Sequence, residues 1–254
     1  MKVFKVLLQF YSFFIIVAAF SVFILPVSMI ALPLHINKRI KIVGIGWGYF
    51  AKVSMKLGIF AKITTIDLRD EDVKKKRQPE GLHIANHQSF MDIPLILCSF
   101  QIPPIMKKEV LYIPIFGLCG YASGAMIVDR SKKDSRKRVF EQSKSRLLHE
   151  FKSLQYYPEG TRQRGDSKPK EYKEIKTPLM KFAYQEGIAL YPTSIYGTKK
   201  ILSAKTGMIR HGQSIGIKHH QAVHPADFET CDEFMRFAWN KVLEGYYELE
   251  EKIK

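Results

Sequence analysis

Residues 81–94 read GLHIANHQSFMDIP. Leu82–Ala85 is a short apolar run of the kind that forms a buried strand, and a helix is expected beyond it with Pro94 in its first turn. The polar segment Asn86–Asp92 therefore joins a strand end to a helix start, which is where α/β folds place their sites. His87 and Asp92 can meet across such a turn. A neutral imidazole there can take a proton from a hydroxyl. A carboxylate on the other ring nitrogen would fix the tautomer and stabilise the imidazolium. Two plainer readings compete, with His87 as a structural turn residue and Asp92 as a helix N-cap.

The alternation continues downstream. Ala125–Val128, Leu154–Tyr157 and Ile188–Ile195 read as further buried strands. Ser131 and Asp134 form an S-x-x-D start signal, which predicts a basic helix running to about His149. Lys176–Glu186 predicts another helix, ended by Gly187. Thr230 and Glu233 form a capping box that opens a helix with Met235, Ala238, Trp239, Val242, Tyr246 and Leu249 on one face. Strands alternating with helices imply an α/β domain over residues 81–254, with a mostly parallel sheet flanked by helices.

Upstream, Val6–Asn37 holds no Asp, Glu, Lys or Arg, with Lys2 and Lys5 before it and Lys38, Arg39 and Lys41 after it. Spanning a bilayer core takes about 20 residues, so the run is long enough. It exceeds the apolar core of a signal peptide and lacks an A-x-A site. Pro26 and Pro33 interrupt it. Two half-length helices bent at Pro26 would leave both basic flanks on the cytoplasmic side; a single spanning helix is the alternative. Ile42–Ile63 reads either as a helix lying at the membrane interface with Trp47 at headgroup level, or as an ordinary core helix. Residues 1–62 are thus expected to form an N-terminal membrane-associated helical segment. Residues 63–80, with Lys74, Lys75, Lys76 and Arg77 in a row, are expected to form a charged linker. The whole chain of 254 residues carries a net charge of +16, which calls for an anionic partner. The apolar N-terminus favours a phospholipid membrane over nucleic acid, for which no binding motif is present.

A second polar constellation, Tyr157-Pro158-Glu159-Gly160-Thr161-Arg162, also follows a predicted strand. Gly160 lets the backbone approach a ligand closely, Thr161 offers a hydroxyl, and Arg162 offers a fork of donors matched to phosphate. Arg164 and Lys168 add positive charge nearby. The plainer reading is a polar turn with an exposed arginine.

Taken together, in this order and spacing, the two constellations resemble hallmark motifs of the glycerolipid acyltransferases, the family of 1-acylglycerol-3-phosphate O-acyltransferases. The resemblance runs from about Leu82 to Gly197. It includes Gly124–Arg130 (GAMIVDR) as a second block and Ile188–Pro192 (IALYP) as a fourth. It implies a catalytic His87–Asp92 dyad and recognition of the acceptor phosphate by Arg130, Glu159, Gly160, Thr161 and Arg162. Lys107, in Met106-Lys107-Lys108-Glu109, is by resemblance a candidate contact for the oxyanion or thioester. The implied reaction is direct transfer from acyl-CoA or acyl-[acyl carrier protein] to the hydroxyl of a lysophospholipid, 1-acylglycerol-3-phosphate or else another lysophospholipid, with no metal or bound cofactor. The rival of another class is a non-enzymatic peripheral membrane or anionic-ligand binding protein. The family's Phe-Lys-x-Gly block is altered here to Ile175-Lys176-Thr177-Pro178, which bears on the acceptor rather than the reaction.

Rival motifs are weaker. Gly212-Gln213-Ser214-Ile215-Gly216 matches G-x-S-x-G, but no acidic residue stands between Ser214 and His224, the last histidine. His211, His219, His220 and His224 lack a nearby cysteine and read as solvated. Cys98, Cys119 and Cys231 form no CxxC pair.

Overall fold

The structure, a computed structural model, describes residues 2–76, 79–112, 116–163, 168–202 and 208–253. The strands are β1 (Lys62–Asp67), β2 (Gly81–Ala85), β3 (Ile105–Lys107), β4 (Met126–Val128), β5 (Ser153–Tyr156), β6 (Leu190–Tyr196) and β7 (Ser214–His219). The helices are α1 (Lys2–Phe23), α2 (Leu25–Ala31), α3 (Ile36–Val53), α4 (Glu71–Lys74), α5 (Asp92–Leu97), α6 (Phe116–Ala122), α7 (Lys133–Leu148), α8 (Pro178–Gln185) and α9 (Cys231–Ile253). The main sheet runs β1-β7-β6-β2-β5. All its pairings are parallel except β6 with β7, so the expected α/β class with a mostly parallel sheet is what the chain adopts.

β2 sits between β6 and β5, and every one of its residues is buried, which explains its apolar run. Leu82 and Ile84 pack with Leu147 of α7, Met180 of α8 and Trp239 of α9. Ala85 belongs to the opposite core, with Leu95, Ile96, Phe100 and Ile195. The capping box at α9 forms as expected: the Glu233 N–H donates to Thr230 Oγ1 at 3.3 Å, and the Thr230 N–H donates to Glu233 Oε2 at 3.2 Å. All six residues expected on the inner face of α9 are buried.

Several expectations are revised. Residues 63–80 are not simply a linker. Lys62–Asp67 forms β1, paired along its full length with β7. Beyond it, Arg69 is buried over the Phe100 ring and holds Asp67 through two side-chain hydrogen bonds of 2.8 and 2.6 Å. The globular domain therefore starts at the edge strand, well before Gly81. Within the expected basic row, Lys75 and Lys76 are exposed, and Arg77 lies outside the described residues. β4 does not join the main sheet but pairs with β3. α7 starts after Ser131, whose hydroxyl donates to Asp129 Oδ1 at 2.6 Å instead of capping the helix.

At the N-terminus the chain does not turn back at Pro26. A proline in the first turn of a helix costs no hydrogen bond, and Pro26 occupies that place in α2. The chain reverses over residues 32–35, and α3 returns along α1. A Cβ on Gly46 would fall 2.3 Å from the Phe23 carbonyl oxygen, and one on Gly58 would fall 3.2 Å from Ile16, so small residues set this close antiparallel packing. Trp47 is not presented outward. It packs edge-on against Phe20 and Phe50 in a core shared with Leu97 and Cys119, contacts worth about 0.5–1.5 kcal/mol each beyond area burial. Val3, Phe4, Leu7, Phe10, Phe13 and Phe14 on α1 remain exposed.

Candidate active site

Asn86 bolts the end of β2 to the end of β6. Its side-chain amide donates to the Ile195 carbonyl at 2.8 Å, and its carbonyl accepts the Ile195 N–H at 2.8 Å. His87 follows immediately, and its Nδ1 lies 2.8 Å from Asp92 Oδ2. The same oxygen accepts the backbone N–H groups of Gln88 (2.6 Å) and Ser89 (2.9 Å). These donors precede Asp92 in the chain, so its side chain reaches back toward His87 rather than capping α5 from its N-cap position, which Met91 occupies. Thr198 Oγ1 donates to the other oxygen, Oδ1. Asp92 is fully buried, and donors on both of its oxygens fix its side chain in place. With His87 Nδ1–H committed to Asp92, Nε2 is left with a lone pair for a substrate.

The Tyr157 ring stacks on the His87 imidazole, with centroids 4.2 Å apart and planes at 24°. Burial, and secondarily Asp92, pushes the Tyr157 phenol well above its usual value, so it stays protonated. Glu159 is nearly completely buried, and its Oε1 accepts the His87 N–H at 2.9 Å. Gln163 donates through its side chain to Glu159 Oε2 and through its backbone to the His87 carbonyl at 2.9 Å. Glu159 is therefore a strut between the two constellations. The expectation that it contacts phosphate is corrected, since a buried carboxyl satisfied by protein donors has neither the access nor the charge for an anion. Gly160 adopts φ 69°, and a Cβ there would fall 3.0 Å from the Lys176 side chain, so the tight turn needs glycine.

Thr161 and Arg162 line a cavity of about 570 Å³ together with His87, Arg130 and Lys107. The rest of its wall is mostly apolar, with Ile40, Gly44 and Trp47 from α3, Ile93 and Leu97 from α5, and Ile102–Met106. Lys108 pairs with Asp129 at 2.6 Å, clamping together the residues that follow Lys107 and precede Arg130. Lys107 itself is half exposed and lies 3.1 Å from Glu109. Lys168 points over the Tyr247 ring, and Arg164 lies outside the described residues. The structure thus brings His87, Asp92, Arg130, Thr161 and Arg162 to one site. Sequence reasoning missed Tyr157 as a stacking partner, Gln163 and Thr198, because each acts through a contact made only on folding.

The rival motifs come apart. Ser214 opens β7 instead of sitting on a strand–turn–helix elbow. His219 and His220 are buried rather than solvated, bonded to Thr193 and Ser194. Among the described residues no cluster of His, Cys, Asp or Glu could hold a metal ion. Burial pushes His83 and His219 down to about 3 and His220 down to about 4.

Burial pushes the Glu159 carboxyl up from its usual 4.5 to about 7, against the opposing hydrogen bond from the His87 N–H. The folded protein then keeps this proton up to about pH 7 while the unfolded chain releases it near 4.5, so Glu159 makes stability fall as pH rises through that window. The buried histidines act in the opposite sense, since they lose stability as pH falls below the usual histidine range. Glu159→Gln removes only the first effect and keeps an oxygen for the His87 N–H. Its stability relative to wild type, measured by urea denaturation, should rise between pH 4.5 and 7 by an amount on the order of a few kcal/mol. A flat difference across that range would mean that Glu159 is ionised throughout.

Comparison with known proteins places these elements in context. A family model described as Acyltransferase matches residues 66–196, about half of the chain. The chain is 30% identical over 162 residues to the 1-acyl-sn-glycerol-3-phosphate acyltransferase LPAT1, chloroplastic, of Arabidopsis thaliana, covering 60% of this chain and 42% of that protein. It is 33% identical over 119 residues to the lyso-ornithine lipid O-acyltransferase of Pseudomonas aeruginosa, covering 47% of this chain and 43% of that protein. The chain spans about half the length of the curated relatives it matches. The solved structure of the 1-acyl-sn-glycerophosphate (LPA) acyltransferase PlsC from Thermotoga maritima superposes with a TM-score of 0.73 at 25% identity, covering 98% of this chain and 97% of that one. With the His87–Asp92 pair inside the matched segment and the fold shared almost end to end, the chain belongs to the glycerolipid acyltransferase family.

Proposed function

We propose that the protein transfers a fatty acyl group from a thioester donor to the free hydroxyl of a lysophospholipid, with lysophosphatidic acid as the acceptor, in phospholipid biosynthesis. One observation carries this reading: His87, held by Asp92, shares a cavity with Arg130, Thr161 and Arg162, and the remaining wall is mostly apolar. His87 Nε2 takes the acceptor hydroxyl proton as its oxygen attacks the thioester carbonyl. The tetrahedral intermediate collapses, the C–S bond breaks, and the imidazolium returns the proton to the leaving thiolate. Arg130, Thr161 and Arg162 hold the phosphate, and Lys107 is a candidate donor to the developing oxyanion. The apolar wall takes an acyl chain. The carrier, coenzyme A or acyl carrier protein, serves only to deliver the acyl group.

General-base catalysis contributes roughly 10²–10⁴-fold, so His87→Ala should lower turnover by about that factor and leave the fold intact. Asp92→Asn should also cripple turnover, and the double variant should be no worse than the more damaged single one, since the pair acts as a unit. Near-wild-type turnover in His87→Ala sinks the mechanism.

A lyso-ornithine lipid is the second reading of the acceptor, supported by the Pseudomonas aeruginosa relative. It lacks the phosphate that an arginine fork matches. Arg162→Lys keeps the charge and loses the fork. It should raise KM for lysophosphatidic acid by about tenfold, the loss of one charge-assisted hydrogen bond, while KM for the donor stays put. Activity confined to the phosphate-free acceptor would favour the second reading.

Membrane attachment through residues 1–62 completes the proposal, with the catalytic domain on the cytoplasmic face. It is supported by Val3–Ala31, which is long and apolar enough to cross a bilayer, and by the exposed apolar side chains of α1. The protein should stay in the pellet on alkaline carbonate extraction of membranes. Release of the intact chain into the supernatant would refute integral attachment.

A further inference from the structure

Resting on the assignment of His87 and Asp92 as the catalytic pair, we infer that Thr198 is a positioning residue that locks the Asp92 carboxylate against the His87 ring. Thr198 is completely buried and does not line the cavity. It lies just beyond residues 66–196, which the family model matches. Its hydroxyl donates to Asp92 Oδ1, the oxygen that His87 does not use. Gln88 Oε1, the other acceptor near this hydroxyl, is 3.5 Å away, so the single proton goes to the carboxylate.

The argument turns on a soft torsion. Rotation of a carboxylate about its Cβ–Cγ bond is broad and weakly restrained. Oδ2 carries the His87, Gln88 and Ser89 contacts, which anchor one oxygen only. A second anchor on Oδ1 fixes the carboxylate plane, and with it the direction in which the imidazole is held.

The fold delivers that anchor through a short rigid path. Asn86, the residue before His87, brackets Ile195 with two hydrogen bonds of 2.8 Å, so the ends of β2 and β6 cannot slide. Gly197 then turns the chain in the left-handed region, at φ 83°, and a Cβ there would meet the Ser214 carbonyl oxygen at 2.9 Å. Thr198 follows at the start of a single 3-10 turn, Thr198–Lys200. His87 and Thr198 therefore reach the same carboxylate from two strands that are bolted together next to the site.

The test compares Thr198→Val, which keeps the shape and loses the donor, with Thr198→Ser, which keeps the donor. A hydrogen bond to a charged group corresponds to roughly 10- to 100-fold, so Thr198→Val should lower kcat by about that much with both KM values unchanged. Thr198→Ser should restore most of the loss. In an Asp92→Asn background, Thr198→Val should remove no further turnover, a result that a general packing role would not produce. Wild-type kcat in Thr198→Val, or an equal further loss in the Asp92→Asn background, overturns the inference. If Thr198→Val does not fold, Thr198→Ala against Thr198→Ser decides in the same way: equal kcat overturns the inference, and a lower kcat for alanine supports it. Crippled His87→Ala and Asp92→Asn beside an unaffected Thr198→Val would leave the proposed reaction standing and this role refuted.

Discussion

A fully buried carboxylate has to be compensated where it sits. Removing such a charge from water costs several kcal/mol even after the protein relaxes, and one unsatisfied lone pair forfeits much of the return. Asp92 meets this requirement with donors from separate places: an imidazole, two backbone N–H groups and a threonine hydroxyl. Donors from separate segments coincide only if the segments are held in register. The features around them answer to that demand. Asn86 locks two strand ends, Glu159 ties the second loop to the His87 backbone, and Tyr157 covers the open face of the ring.

What can be read before folding is what depends on local pattern. The β2 run, the capping box of α9 and the His87–Asp92 spacing are contained in a few consecutive residues, and they emerge as expected. β1 is harder. Its residues Lys62–Asp67 are partly polar and mostly exposed, because an edge strand has one unpaired side and little core to face, so its pattern resembles a linker. Trp47 misleads for a related reason: an aromatic in an apolar helix suits an interface and a core equally well, and only the return of α3 between α1 and α5 settles its place. Glu159 reads as a site residue from its neighbours, while its burial and its bond to His87 are properties of the fold. Thr198 carries no local signal at all, since its partner stands more than a hundred residues away in the chain.

The cavity joins an apolar wall to a cationic end. Its wall draws apolar side chains from α3 and α5, and its polar end draws on loops that leave β2, β4 and β5. Those loops belong to two different sheets. The Lys108–Asp129 pair crosslinks the ends of β3 and β4, and β4 also contributes Met126 to the core under α7. The polar end is thus referenced to the same packed layer as the main sheet.

The strand order has a consequence for the way the chain reaches this state. β1 is the earliest strand of the sheet to be made, and its only described strand partner, β7, is the latest. Until Ser214–His219 has been synthesised, the strand next to the N-terminal helices has no ladder to join. Pairings between such distant segments require a large loop to close before any contact rewards it, so they form late and slowly. The closing event of the sheet also adds a second hold on the N-terminal helices, beyond their packing on Leu97 and Cys119, since Gln9 and Ser12 of α1 bond to Ile209 and His211 in the segment leading into β7.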